Sequence, residues 1–139
     1  MGDNLQLFFI FLNFRAMSLK VLMWIDAFAA MTAGVGIMTF KTPLSGVFEL
    51  PEGLLLTQSI IALTFMPFSF FLAIKRPSVP NLYRALAIAN LAYGVFCLIL
   101  FLSFFAAANV FGSAYLLVDA FIVITLAFLE WRRIRLELG

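Results

Sequence analysis

The chain has 139 residues, of which 65% are hydrophobic and only 12% charged; nine Lys and Arg against seven Asp and Glu leave a net charge of +2. A soluble domain carries about a quarter charged residues, so this chain has too few to coat a globule of its own size. That excludes a soluble enzyme, a nucleic-acid-binding domain and a disordered tail, and a mean hydropathy of +1.11 leaves an integral membrane protein.

At the start of the chain, Leu5 to Phe14 is apolar but too short to span a bilayer, which takes about 20 residues. Gln6 and Asn13 lie seven residues apart and therefore on one helical face. The pattern predicts a short helix in the membrane interface or docked on a partner. No basic region precedes it, so a signal peptide fits poorly.

Four apolar stretches of spanning length follow, about 19–40, 54–74, 82–105 and 112–131. The first connection, from Lys41-Thr42-Pro43 to Pro51-Glu52-Gly53, is predicted as a loop on its prolines and glycines. In the second, Lys75-Arg76-Pro77-Ser78-Val79-Pro80, the prolines end one helix and pre-set the next. The third, Ala106 to Phe111, is short and uncharged. Pro67 falls within the second span and favours a kink there. The expected architecture is an all-α membrane protein: one domain over residues 1–139, a four-helix transmembrane bundle of up-down topology, preceded by the short interfacial helix.

Eight of the nine basic residues fall on one side of such a bundle: Arg15, Lys20, Lys75, Arg76, Arg84, Arg132, Arg133 and Arg135, with Lys41 opposite. By the positive-inside rule both termini are expected in the cytoplasm. Glu130-Trp131-Arg132-Arg133 is expected to be an interfacial anchor.

Each span carries one conspicuous polar residue: Asp26, Gln58, Asn90 and Asp119. Small or polar neighbours share the face of each. Ala29, Ala30 and Ala33 accompany Asp26, and Ala62 and Ser69 accompany Gln58. Ala87, Gly94 and Cys97 lie with Asn90, and Tyr115 and Glu130 with Asp119. Small residues permit close packing in lipid, so these faces should point inward. At about 1.5 Å of rise per residue, Asp26 and Asn90 share a layer on the cytoplasmic side of the bundle centre. Asp119 and Gln58 make a second layer on the outer side. Odd spans would then supply one layer and even spans the other, as in two hairpins repeated in parallel. Tyr115 and Gln58 are the expected partners of Asp119, and Arg84 is a candidate partner for Asp26. An acid at a helix centre costs about 2.5–3.5 kcal/mol on insertion scales. Asp26, Gln58, Asn90, Asp119, Tyr115 and Arg84 therefore form the candidate ligand or proton site. Cys97 is expected to be core packing.

With no histidine and one cysteine, the chain has no internal means to build a disulfide framework, a zinc site or a histidine-ligated haem. No metal or other cofactor is expected. No Ser/His/Asp set or long loop is available for catalysis, so no catalytic residues and no enzyme activity are expected.

Trp24-Ile25-Asp26-Ala27, Gly34 and Gly36, Leu50-Pro51, Asn90 and an aromatic-rich fourth span together resemble a family of small four-helix bacterial inner-membrane proteins. The similarity is one of length and helix count over nearly the whole chain. DoxX-type proteins are similar in size only, because their first-helix arginine-and-glycine pattern is missing. Asp26 resembles the first-helix acid of small multidrug transporters, without the surrounding motif. The resemblance implies a fold and a bacterial cytoplasmic (inner) membrane rather than a reaction. The leading expectation is a non-enzymatic accessory or scaffold subunit of a homo-oligomer or larger membrane complex. Its partners would be the lipid bilayer and other membrane subunits, not nucleic acid. The alternative is a small carrier of a proton or of a cationic or lipophilic substrate, working through Asp26 and Asp119.

Overall fold

A computed structural model describes residues 2–139. Met1 and the side chains of Phe11, Phe14, Arg15 and Ala16 lie outside the described residues, and with them the part Arg15 plays in the basic asymmetry. The described chain forms α1 (Gly2–Ala16), α2 (Leu19–Phe48), α3 (Glu52–Lys75), α4 (Pro80–Phe104) and α5 (Val110–Glu137). The four long helices are apolar enough and long enough to cross a membrane. The protein is an all-α four-helix bundle and a multi-pass membrane protein.

The helix ends follow from local chemistry, with one correction. Residues 41–48, expected as a loop, are helical. The backbone leaves helical geometry at Phe40 (φ −108°, ψ 17°) and then resumes, so Pro43 falls in the first turn of the resumed segment. A proline there removes no needed N–H. Glu49 ends α2 in the left-handed region at φ 53°, and only Leu50 and Pro51 separate it from α3. That helix keeps helical backbone through Pro67 and ends at Arg76, φ 46°, whose N–H donates to the Leu72 carbonyl. Pro80 opens α4 as the sequence predicts. Ser18 and Asn109 cap α2 and α5 with side-chain oxygens, each satisfying an orphan N–H. The fourth span continues beyond Trp131 to Glu137.

Packing is by hairpins. α2 lies on α3, α4 lies on α5, and the two hairpins join along α2 and α5. That seam is antiparallel and tied at both ends. At one end the Leu19 N–H donates to the Glu137 carboxylate (3.0 Å), where an acid also complements the positive end of α2. At the other, Asn109 Nδ2 donates to the Val47 carbonyl (2.6 Å). A side chain at Gly112 would run into the Phe48 carbonyl, so the close approach beside this second tie needs glycine. Gly34 serves the α2–α3 contact: its carbonyl accepts from Ser59 Oγ (2.7 Å), and a Cβ there would collide with Leu63. This is the small-residue packing that lipid-embedded helices use. α3 and α4 touch sparsely, which leaves one side of the bundle loosely closed.

Two apolar clusters cap the bundle. One, around Leu22, Met23, Leu72, Leu86 and Ile134, lies at the end rich in lysine and arginine, hereafter the basic end. The other, around Leu50, Leu55 and Leu116, lies at the far end. Polar side chains occupy the space between. Outward, Leu102 is 74% exposed, Phe121 71% and Val110 81%, surfaces suited to lipid rather than water.

The basic asymmetry makes topology testable. In a Cys97→Ser background, single cysteines at Ser78 and Glu49 should label from opposite membrane faces in intact cells, Ser78→Cys from the cytoplasm. Labelling of both from one face would overturn a four-span arrangement.

Candidate functional site

The polar residues form two layers. In the layer nearer the basic end, Asp26 is 6% exposed. Its Oδ2 accepts from Ser69 Oγ (2.5 Å) and its Oδ1 from Asn90 Nδ2 (3.0 Å). The same Asn90 nitrogen donates to Glu130 Oε2 (3.2 Å). A primary amide has two hydrogens, so one Asn90 serves two carboxyl groups. All four long helices contribute: Asp26 from α2, Ser69 from α3, Asn90 from α4 and Glu130 from α5.

The second layer is a relay of weaker groups ending on Asp119. Tyr93 Oη donates to Asp119 Oδ2 (2.9 Å), and Cys97 Sγ donates to the same oxygen (3.4 Å). Gln58 Nε2 donates to Cys97 Sγ (3.6 Å), and Tyr115 Oη donates to Gln58 Oε1 (3.1 Å). Tyr115 is further held by stacking on Phe48, ring centroids 4.8 Å apart. Asn90, Tyr93 and Cys97 are spaced at i, i+3 and i+7, so one face of α4 serves both layers over about 10 Å of rise.

Between the layers lies a cavity of about 170 Å³. All four long helices wall it. Asp26, Asn90, Tyr93 and Asp119 supply its polar atoms, and Ala29, Ala30 and Ala33 of α2 leave the room. Had the alanines been leucines, their side chains would fill this space.

The sequence expectations are corrected in four places. Arg84 is not brought to Asp26: it is exposed and donates to Asn81 Oδ1 (3.3 Å), because it sits near the helix start, where a long cationic side chain reaches water. Asp119 is bonded by Tyr93 and Cys97, not by Tyr115 and Gln58, which stand one step further along the relay. Cys97 is thus a member of the relay as well as packed core. Glu130, expected both in an interfacial anchor and on the inward face of Asp119, is fully buried, since its face of α5 turns inward toward Asn90. The odd-and-even division of layers gives way accordingly: every long helix but α2 contributes to both.

Among the described residues every buried side-chain nitrogen and oxygen has a hydrogen-bond partner. The partners of Asp26, Asp119 and Glu130 are hydroxyl, thiol and amide groups, with no lysine or arginine among the described ones. An acid in a hydrocarbon interior stays ionised only beside compensating positive charge, and the bonded side chains bring none. Compared with protein-family models, curated proteins and solved structures, the chain matches none.

Removing the shared donor should therefore be costly. Asn90→Ala strips a donor from two carboxyl groups and should destabilise the bundle by about 1–3 kcal/mol, above the average of about 0.6 kcal/mol for a membrane hydrogen bond. Arg84→Ala should stay within about 0.5 kcal/mol. Unfolding in mixed micelles with rising dodecyl sulfate measures both.

Proposed function

We propose that the protein is a small carrier that binds a positively charged solute in the cavity between its two polar layers. The observation that supports this reading is a single space, bounded by every long helix, with Asp26 and Asp119 on its wall and neutral partners on both acids. A cation in that space would supply the charge that the bonded side chains do not. Nothing in this reading requires a bond to be made or broken, so the protein acts by binding and release rather than as an enzyme. The basic residues of the sequence, eight of nine on one side of a four-span arrangement, favour both termini in the cytoplasm, and the membrane we propose is a bacterial cytoplasmic one.

A second reading, an accessory subunit of a homo-oligomer or larger membrane complex, draws support from the partners that every fully buried side-chain nitrogen and oxygen has among the described residues. Polar groups satisfied in this way hold helices together without any ligand. The exposed outer rings, Phe121 and Phe128 among them, would then meet a partner as well as lipid.

Proteoliposomes separate the two. Wild-type protein should carry at least one of protons, sodium ions or methylammonium to phenethylammonium down an imposed gradient. Asp119→Asn and Asp26→Asn preserve shape and one acceptor oxygen while removing the charge, and should each lower that flux at least tenfold while the protein elutes unchanged in detergent. Flux that survives the double substitution, or no flux together with a stoichiometric copurifying protein, would reject the carrier reading in favour of the subunit.

A further inference from the structure

Resting on the carrier reading, we infer that the solute is an amphiphilic ammonium, a charged amine on an apolar body, and that it enters sideways from the membrane between α3 and α4 with Tyr93 as the gate.

Between α3 and α4, where the helices touch least, lies a groove of about 480 Å³. Its outer walls include Ile60 and Thr64 of α3 and Ala89 and Ala92 of α4, and Ile60 is 51% exposed. Ile61, Phe65 and Tyr93 line this groove and also line the central cavity. The partition between lipid-facing groove and acid-walled cavity is therefore one side chain thick. On the other side of the bundle the α2–α5 seam is tied at both ends, so opening there costs two hydrogen bonds and a packed interface.

Tyr93 is the moving part. Its ring stands in the partition while its hydroxyl donates to Asp119 Oδ2. Swinging the ring aside opens the partition and uncovers a carboxylate oxygen in the same movement. The vacated position calls for a donor, which an ammonium supplies with charge added. A neutral molecule has less to offer in exchange. Phe65 and Tyr93 bring aromatic rings to the route, and the face of such a ring attracts a cation.

Size and polarity fix the body of the ligand. An apolar cavity of about 150 Å³ accepts benzene, so 170 Å³ accommodates a phenyl ring, and the short ammonium tail takes the space that the Tyr93 ring vacates. Ala29, Ala30, Ala33, Ile122, Val123 and Leu126 give that ring apolar walls. The groove outside, with Thr64 as its one aliphatic hydroxyl, favours a solute that already partitions into lipid. Charge complementarity between the ammonium and the two acids at the inner end selects this occupant over an acyl chain.

The test uses the full chain in nanodiscs with radiolabelled phenethylammonium as probe and 2-phenylethanol and methylammonium as competitors. Phenethylammonium should bind at least tenfold more tightly than either competitor, the first lacking charge and the second the apolar body. Ala92→Trp, on the lipid-facing wall of the groove, should slow association at least tenfold and leave equilibrium affinity within twofold. Tyr93→Phe, which keeps the ring but removes its tie to Asp119, should speed association. Equal binding of 2-phenylethanol would overturn the ligand class. Unchanged association in Ala92→Trp would overturn lateral entry. Binding that persists in Asp26→Asn/Asp119→Asn would instead reject the cation site itself, whereas flux of sodium ions or protons without phenethylammonium binding would sink this inference alone. A phospholipid or second copy in the groove that phenethylammonium cannot displace, seen by native mass spectrometry, would also count against it.

Discussion

One primary amide holds the bundle in register. Asn90 on α4 donates to Asp26 on α2 and to Glu130 on α5, and Asp26 in turn accepts from Ser69 on α3. Apolar side chains facing one another in lipid gain little from association, because the tails outside are as apolar as the core inside. A directional contact shared by four helices is a different matter, since sliding any one of them by a turn strands a carboxyl group. Once this layer is fixed, the spacing along each helix places the second. Gln58 and Ser69 are eleven residues apart on α3, and Asp119 and Glu130 eleven apart on α5, about three turns in each case. The two helices run in the same direction with matched polar spacing. The cavity is the space that these two fixed layers leave between them, opened by the three alanines of α2.

Much of the architecture is legible in the residues. The four spans follow from runs of apolar residues bounded by Pro, Gly and charge, and their ends shift by a few residues where real helices overrun the hydrocarbon. Residues 41–48 mislead because Pro43 reads as a breaker, whereas a break at Phe40 lets the same proline start the next turn. The polar layers are half legible. Asp26 and Asn90 stand out as isolated polar residues in apolar runs. Glu130 reads two ways, as part of an interfacial anchor with Trp131, Arg132 and Arg133 and, by its three-turn spacing from Asp119, as part of an inward face; the second reading is the one the fold adopts. Tyr93 is less visible. It lies three residues from Asn90, but a tyrosine in a chain with 18 phenylalanines does not announce that its hydroxyl is the part that matters. Which of several inward groups actually bond depends on helix rotation and side-chain reach, and spacing constrains neither closely.

The unequal closure of the bundle has a mechanical consequence. Two hairpins joined along α2 and α5 can hinge about that seam, and the ties Glu137–Leu19 and Asn109–Val47 fix its ends. Each tie falls where a helix terminus has unsatisfied backbone groups, so losing it exposes orphan donors or acceptors. Relative motion is directed to the opposite side, where α3 and α4 share a short connection at the basic end and little along their length. The groove there is a product of topology. A bundle with four equal interfaces would have closed it.

Complete hydrogen bonding and an available cavity are compatible because they set a threshold rather than a vacancy. Among the described residues every fully buried side-chain nitrogen and oxygen is partnered, so a ligand that reaches Asp119 Oδ2 does so by replacing a bond, and the bond that stands at the partition is that of Tyr93. A neutral hydroxyl arriving there exchanges like for like and gains little against the ordering it suffers. An ammonium exchanges a neutral donor for a charged one beside a carboxyl group whose described partners are a phenol and a thiol, and charge-assisted bonds are about twice as strong as neutral ones. Selectivity for charge then arises because a neutral hydroxyl already bonds this carboxylate oxygen. A polar network with open valences would bind water or any small alcohol, and would discriminate less.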